Sequence, residues 1–293
     1  MDVRPHLASR RVKFYTRSIS KRLYLESSHF YEDAGYPCVR LVDKSADGYF
    51  YTMLADEECD VAINVDEDAF VSDIDAVLDL AEYAIANGYA NTGVPDCSPA
   101  CPRGANPLVT NPFFNIFDLQ QIRTKWQGKE TEREILKLRY DDVRGELARN
   151  CHYEDPVVSG DLENIDLEPY YNFFFWLDLN FKTLFLKAYI HVDGFSTVVV
   201  SPDGRTLCKH SWMSRFYGQD SRQTRRIDAL IDEVASERGV ARLEFSNRQK
   251  FAMFLDLALR FVIRVPQRVA AWPRKWRKWY DRWQRKRKLR ATT

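Results

Sequence analysis

An apolar run turns abruptly acidic in the segment VAINVDEDAF, which occupies residues 61–70. Its first five residues are rich in β-formers and predict a short buried strand. Asp66 and Asp68 follow directly, and ligands collect at the carboxyl ends of strands in open α/β sheets. If the segment stays extended, side chains two positions apart face the same side and both carboxylates reach one cation. Because Mg²⁺ and Mn²⁺ prefer carboxylate oxygens, the segment predicts a divalent-cation site.

Composition favours a globular α/β protein with an appended tail. The chain has 293 residues, of which 45% are hydrophobic, enough to bury a sizeable core. The net charge of +1 is uneven, because residues 274–290 carry ten Lys or Arg and one Asp. That tail has a net charge of +9, which leaves −8 for the remainder. Scattered cysteines and an N-terminus without an apolar core predict a reduced, cytoplasmic protein, and no membrane span is expected.

Strands and helices are predicted to alternate along the chain, with one segment, residues 48–54, fitting either type. Asp73 is the expected N-cap of the helix after the acidic segment, in which Tyr83 is expected on the apolar face. The other predictions, in chain order, are strands at 11–16, 37–42 and 61–65, helices at about 20–31 and 74–87, a long loop at 93–112, a charged helix at about 128–150, an aromatic core segment at 169–190 and a hairpin at 191–209.

Three motifs resemble those of bacterial glycosyltransferases encoded with surface-polysaccharide genes. They are NVDEDAF at 64–70, NPFFNIF at 111–117 with the preceding Asn106-Pro107, and HSWMSRFYG at 210–218. The resemblance implies a GT-A-like single Rossmann-type domain with a central mixed sheet over residues 1–245. It also implies transfer of a hexose, such as galactopyranose or galactofuranose, from a UDP-linked donor to a growing, lipid-linked surface polysaccharide.

The same resemblance implies roles for individual residues. Asp66, Asp68 and His210 would hold Mn²⁺ or Mg²⁺, which acts as a Lewis acid on the leaving diphosphate. Glu168 lies at a predicted helix start and is the expected base if the enzyme inverts configuration. Its competitors for this role are Asp166, Asp178, Asp96 and Asp193. The remaining expected contacts are Tyr15, Thr16, Ser18, Asp47 and Arg215 for the donor, and Asp96, Arg103 and Asn106 for the acceptor or sugar.

The C-terminal residues 246–293 are predicted to form an amphipathic helical tail. Trp272, Trp276, Trp279 and Trp283 recur at spacings of four, three and four, which places the indoles on one stripe of a helix among Lys and Arg. Indoles favour the headgroup level of a membrane and basic side chains favour anionic lipid. The tail therefore predicts peripheral attachment to the cytoplasmic face of the inner membrane.

Two other functions fit parts of the sequence. A basic, Trp-rich tail is also typical of single-stranded nucleic-acid binding, although the acidic body argues against a continuous groove, and we expect no nucleic-acid partner. Paired carboxylates also serve metal-dependent phosphoryl transfer. A zinc site at Cys97, Cys101, Cys151 and His152 is disfavoured, because adjacent side chains do not easily share one tetrahedron.

Deleting the residues after Ala271 should move the protein from the membrane fraction to the soluble fraction. Each basic residue near an anionic surface contributes about 1 kcal/mol, and the deletion removes ten of them with all four indoles. Co-sedimentation with anionic liposomes measures the change. Equal sedimentation of the full chain and the truncated chain would count against a membrane tail.

Overall fold

Two β-sheets form the framework of the protein. The structure is a computed structural model that describes residues 4–42, 44, 48–96, 106, 108–138, 143, 151–153, 168, 170–259 and 262. The strands are β1 Val12–Ser18, β2 Cys38–Val42, β3 Val61–Val65, β4 Ala69–Val71, β5 Tyr89–Pro95, β6 Thr110–Asp118, β7 Cys151–Tyr153, β8 Lys182–Phe185, β9 Lys187–Ile190, β10 Thr197–Val200 and β11 Thr206–His210. The helices are α1 Pro5–Ala8, α2 Lys21–Ser28, α3 Gly48–Leu54, α4 Ile74–Ala86, α5 Leu119–Arg123, α6 Lys129–Ile135, α7 Tyr171–Asn180 and α8 Ser221–Arg238, with 3₁₀ turns at Glu32–Ala34 and Ser214–Phe216.

The larger sheet is mixed, which confirms the predicted α/β class with a central mixed sheet. Its strand order within the described residues is β2-β1-β3-β6-β5-β8-β7. Only β6 runs antiparallel to its neighbours, β3 and β5. Tyr15 lies opposite Asn64 and Val65 lies opposite Phe114. The carboxyl ends of β1, β3 and β5 and the start of β6 therefore share one side of the sheet, which we call the carboxyl edge.

The smaller sheet is antiparallel and begins where β3 ends. Its order is β4-β11-β10-β9, and β4 starts only four residues after the last residue of β3. Ala69 at the start of β4 pairs with His210 at the end of β11. The hairpin of β10 and β11 confirms the prediction for residues 191–209. This connection brings the end of β11 to the carboxyl edge of the larger sheet.

Apolar residues pack on both faces of the larger sheet. All five residues of β3 are buried, as expected for a strand covered on both sides. Ile63 and Val65 belong to the cluster that contains residues of α2, α4 and α8, whereas Ala62 belongs to the cluster that contains residues of α3 and α7. Each large apolar side chain that is fully buried contributes about 1.5–3 kcal/mol. The aromatic segment of α7 lies in this second cluster, as predicted.

Helix boundaries follow the capping residues in the sequence. Ser20 accepts a hydrogen bond from the backbone of Leu23, and Asp73 accepts one from Ala76, so the predictions for α2 and α4 are confirmed. Tyr83 is 42% exposed, and its predicted place on the apolar face of α4 is wrong. The charged helix predicted at 128–150 is not continuous, because α6 ends at Ile135 and residues 136–138 are not helical. Most of residues 139–150 lie outside the described residues.

Contacts divide the chain into two compact units, Met1–Glu244 and Phe245–Thr293. In the second unit residues 247–259 are helical. The side chains of Ser246 and Gln249 each bond the other's backbone N–H, which is a capping box. The described residues include no helix long and apolar enough to span a bilayer. Trp272, Trp276, Trp279 and Trp283 lie outside the described residues, so their membrane role stays a prediction.

Gly93 lies where β6 leaves no room for a side chain on β5, and Gly93→Ala should destabilise the fold. An added Cβ would lie 2.4 Å from the Asn115 Nδ2 atom and 2.9 Å from the Phe114 carbonyl oxygen. Such overpacking costs about 1–3 kcal/mol. Gly194→Ala is the control, because nothing lies within 4 Å of its added Cβ and only the φ of +71° is strained. Urea unfolding should show the larger loss for Gly93→Ala; equal losses would contradict the steric explanation.

Candidate active site

The acidic segment forms a tight turn at the carboxyl edge. The backbone N–H of Asp66 donates to the Phe113 carbonyl at 2.8 Å, and the N–H of Ala69 donates back to the Asp66 carbonyl at 3.0 Å. The expectation that Asp66 and Asp68 share one face of an extended segment is therefore wrong. The turn instead directs the three acidic side chains to different hydrogen-bond partners.

Asp68 lies beside His210, although the two residues are far apart in the sequence. The His210 Nε2 atom is 3.3 Å from the Asp68 Oδ1 atom, and the Ser211 N–H donates to the Asp68 carbonyl at 2.8 Å. Burial opposes ionisation of Asp68, but His210, a hydrogen bond from Ser214 and the charge of Arg17 together hold the pKa of Asp68 below its ordinary value. Asp68 is thus kept as a carboxylate.

Two aromatic rings fix the orientation of the His210 imidazole. The Phe113 ring stacks on it with centroids 4.0 Å apart and planes 8° apart, and the Trp212 ring lies at 4.3 Å. The Trp212 indole N–H donates to the Thr197 hydroxyl at 2.9 Å, which holds the indole in place. The imidazole is therefore preorganised, with its Nε2 atom at the carboxylate.

The backbone that follows His210 is strained. Trp212 and Met213 have φ values of 57° and 59°, in the left-handed region that bulky residues avoid. Each such residue costs on the order of 1–3 kcal/mol and persists only where its surroundings enforce it. Arg226 enforces it here by donating to the Trp212 carbonyl at 3.1 Å and to the Ser196 hydroxyl at 2.8 Å. Strain of this kind is concentrated at functional sites.

Asp66 forms an ion pair with Arg17 at the end of β1. The Arg17 NH2 atom lies 3.0 Å from the Asp66 Oδ2 atom, and the guanidinium carbon is 5.2 Å from the centre of the Tyr49 ring. Burial raises the pKa of Asp66 from 3.8 to about 6, against the opposing effect of Arg17. The Oδ1 atom of the same carboxylate is buried and has no hydrogen-bond partner among the described residues.

Glu67 turns away from its neighbours and holds the loop between β1 and α2. Its Oε2 atom accepts hydrogen bonds from the Ser18 hydroxyl at 2.9 Å and from the backbone N–H groups of Ile19 and Ser20 at 3.0 and 2.7 Å. Burial, with the nearby charge of Asp68, raises the pKa of Glu67 from 4.5 to about 8. Glu67 therefore positions the loop between β1 and α2.

Several buried polar atoms without a hydrogen-bond partner lie around this turn. Buried atoms without a hydrogen-bond partner among the described residues include Oδ1 of Asn64, Oδ1 of Asp66, Nδ1 of His210 and the hydroxyl of Ser211. An unsatisfied buried polar group costs about 1–3 kcal/mol, so such a group calls for an explanation. Carboxylate and imidazole are suitable ligand types for Mn²⁺ or Mg²⁺. Within the described ranges, however, no three His, Cys, Asp or Glu side chains are arranged to hold an ion together.

Three residues predicted to contact the sugar donor instead form hydrogen bonds with other side chains of the protein. Tyr15 is buried and donates to Asp56 at 2.5 Å, and the Thr16 hydroxyl bonds the Tyr31 hydroxyl at 2.5 Å. Ser18 donates to Glu67. These positions do not support direct side-chain contact with a nucleotide. Asp47 lies outside the described residues.

The predicted acceptor contacts Asp96 and Asn106 are fully buried. Asp96 accepts hydrogen bonds from Asn111 and from the Tyr170 and Tyr171 hydroxyls, the latter two at 3.1 and 2.6 Å. Asn106 accepts from the backbone of Leu108 at 2.9 Å. Burial therefore argues against sugar contact by either side chain. Arg103 lies outside the described residues.

The bonds of Asp96 join the start of α7 to the carboxyl edge. Glu168 precedes α7, is partly exposed, and accepts a backbone hydrogen bond from Tyr171 at 3.3 Å. The predicted base thus precedes a helix whose start is bonded to the carboxyl edge, while its competitor Asp166 lies outside the described residues. Arg215 is exposed in the 3₁₀ turn after His210, with its guanidinium carbon 5.8 Å from the Phe216 ring centre.

Sequence reasoning missed Arg17 and the stacking role of Phe113. Arg17 stands between Thr16 and Ser18, which the sequence analysis did select. A useful signal was available, because Arg17 is a cation at the carboxyl end of a strand. The adjacency of β1 to the acidic end of β3 comes from the sheet register, which the sequence does not display.

Removing the Glu67 carboxyl should destabilise the protein, whereas replacing it with an amide should leave the stability nearly unchanged. Glu67→Ala leaves three donors without their acceptor and should lower the free energy of unfolding by about 3 kcal/mol. Glu67→Gln keeps an acceptor oxygen and should unfold close to wild type at about pH 6. Urea titrations of the three proteins measure the difference; equal loss in both variants would contradict an acceptor role.

Wild type and Glu67→Gln should also differ in how their free energy of unfolding depends on pH. Folded wild type holds the Glu67 proton up to about pH 8, whereas the unfolded chain loses it near the ordinary pKa of 4.5. The free energy of unfolding of wild type should therefore fall as pH rises from about 5 to 8. Asp66 contributes in the same direction to both proteins, but the amide introduced by Glu67→Gln does not titrate, so this variant should show the smaller fall. Equal slopes would contradict the raised pKa.

No protein-family model matches the chain, and no curated protein matches it. Among solved structures, the chain is similar to A197 from STIV, with a TM-score of 0.32 and 16% identity over 67% of this chain and 93% of that one. It is also similar to a glycosyltransferase involved in the glycosylation of the major capsid of PBCV-1, with a TM-score of 0.27 and 10% identity over 39% of this chain and 63% of that one. At such TM-scores neither similarity carries weight for the activity, which rests on the site itself.

Proposed function

We propose that this protein is a GT-A-type glycosyltransferase that moves a hexose from a nucleotide-diphosphate donor to a glycan acceptor. The observation that carries the proposal is the meeting of Asp68 and His210 at the carboxyl edge, 3.3 Å apart, beside Asp66. Asp68 lies in the turn that joins the two sheets and His210 ends β11 of the smaller sheet, and the surrounding segment contains both strained backbone and unsatisfied polar atoms. That combination suits a binding site better than a structural contact.

The sheet supports the same assignment. Ligands of open α/β sheets bind outside the carboxyl ends of the strands. Here that position adjoins the ends of β1 and β3 and the start of β6. A nucleotide placed there would have Arg17 and the β1–α2 loop on one side and His210 on the other.

The residues of the site would have distinct roles. Asp66, Asp68 and His210 would hold Mn²⁺ or Mg²⁺, and such an ion supplies charge stabilisation for the departing nucleoside diphosphate. Phe113 and Trp212 keep the imidazole oriented. Glu168, anchored at the same edge through α7, would accept the proton of the attacking acceptor hydroxyl if the reaction inverts configuration.

The acceptor is a lipid-linked surface polysaccharide at the cytoplasmic face of the inner membrane. The net charge of +9 on residues 274–290 and the tryptophan spacing support attachment to anionic lipid. The helix at 247–259 exposes Phe251, Phe254, Leu255 and Leu259, which suits an apolar surface of the same tail. UDP-linked hexoses are the donors to test first.

Asp68→Asn should reduce metal-dependent sugar transfer by about 10²–10³-fold, because it removes charge at the point where the leaving group is stabilised. His210→Gln should reduce it in the same direction. The measurement is Mn²⁺-dependent release of UDP and formation of glycoside across a panel of UDP-hexoses.

Asp118→Asn is the matched control. Asp118 caps α5 at the opposite edge of the sheet, where β6 meets the start of β3, and Asn serves equally well as a cap. The control should keep full activity. Full metal-dependent transfer by a folded Asp68→Asn protein would refute the assignment, and cleavage of phosphodiesters without glycoside formation would favour a phosphoryl-transfer enzyme.

A further inference from the structure

The helix at residues 247–259 has an apolar side that is exposed. Five large apolar residues recur at spacings of three, one, four and three, which places them on one face of a helix. They are Phe251, Phe254, Leu255, Leu259 and, just beyond the helix, Val262, and we call them the apolar stripe. Each of them is 50–65% exposed. A contiguous exposed apolar surface of this kind marks an interaction site.

The apolar stripe is not the side through which the helix packs. Met253 is buried and Leu257 is half-buried, and both lie on the other side of the helix. An ordinary surface helix buries its apolar face and exposes polar residues. This helix buries one apolar side and leaves a second one open, so the stripe is available to a partner outside the folded unit.

The charge of the surrounding chain indicates the chemistry of that partner. Arg248 and Lys250 are exposed in the first turn of the helix, and Asp256 is the only acidic residue between positions 246 and 262. Residues 246–293 contain fifteen Lys or Arg and two Asp, a net charge of +13. Two chains placed stripe to stripe would bring two such charges together, which is unfavourable. An anionic lipid surface offers an apolar interior to the stripe and negative headgroups to the cations.

The length of the helix determines how it meets such a surface. At 1.5 Å per residue, residues 247–259 extend about 20 Å, which is shorter than the roughly 30 Å of a hydrocarbon core. The helix therefore lies along the surface, with its apolar side about 5–10 Å deep at the boundary of headgroups and acyl chains. Phe, Leu and Val suit the acyl side of that boundary, because they carry no polar group that must stay hydrated.

We propose that residues 247–259 form an interfacial helix that inserts the apolar stripe into an anionic leaflet. This inference rests on the proposed attachment to anionic lipid and adds to it a hydrophobic contact that the basic residues 274–290 do not supply. The two contacts respond differently to NaCl, because salt screens charges but does not weaken burial of the stripe. Part of the binding should therefore persist when electrostatic attachment is suppressed.

A double substitution in the full-length protein, Phe254→Gln with Leu255→Gln, tests the insertion. Both side chains are exposed, so the variant should fold like wild type. Its binding to vesicles of phosphatidylethanolamine and phosphatidylglycerol, measured by co-sedimentation, should be at least about tenfold weaker than that of wild type. Raising NaCl from about 0.1 M to about 0.5 M should weaken binding of both proteins but leave this ratio, because the lost contact is apolar.

Leu136→Gln with Val192→Gln is the matched control. It also replaces two exposed apolar side chains with Gln, at positions outside the helix, and should bind vesicles like wild type at both salt concentrations. Equal binding by wild type and the Phe254→Gln, Leu255→Gln variant would overturn the insertion. A ratio that disappears at the higher salt concentration would overturn it as well.

Sedimentation equilibrium without vesicles tests a second copy of the chain as the partner. Wild type and both variants should have the same oligomeric state, and an association lost only in the Phe254→Gln, Leu255→Gln variant would overturn the insertion. Sugar transfer to a soluble acceptor glycan should be equal in all three proteins, because the substitutions lie outside the candidate active site. If the vesicle test fails while wild type transfers sugar, the proposed transferase stands; a wild type that neither binds vesicles nor transfers sugar overturns both proposals.

Discussion

Asp66, Glu67 and Asp68 place three adjacent carboxyl groups at the buried end of β3, and removing such groups from water is unfavourable unless partners compensate. The structure compensates them in three directions. Arg17 neutralises Asp66, three donors of the β1–α2 loop bond Glu67, and His210 with Ser214 stabilises Asp68. The local architecture of the site follows from these separate solutions.

The compensation of Asp68 depends on the second sheet. Because β4 directly follows the acidic turn and pairs with β11, the end of β11 at His210 lies beside that turn. After His210 the chain turns away from Asp68 through left-handed backbone at Trp212 and Met213, which Arg226 stabilises. The strained segment and the imidazole are therefore parts of one arrangement that orients a nitrogen atom at a carboxylate.

Arg17 and His210 already lie against two of the three acidic side chains, at 3.0 Å from Asp66 and 3.3 Å from Asp68. The acidic turn is therefore held by charged and polar partners from β1 and β11. The buried Asp96, bonded by two tyrosines at the start of α7, gives the opposite side of the edge a rigid support.

The sequence alone determined what local chemistry encodes. Strand β3, the capped helices α2 and α4, the aromatic core helix and the β10–β11 hairpin follow from β-formers, capping side chains, apolar content and turn residues that act over a few positions. Tertiary structure alone decided which side chains meet. Arg17 reaches Asp66 through the register of β1 and β3, and His210 reaches Asp68 through the pairing of β4 and β11. The burial of Tyr15, Thr16 and Asp96 could not be predicted from the sequence either. Whether a polar side chain faces solvent or the interior depends on partners that are distant in the sequence.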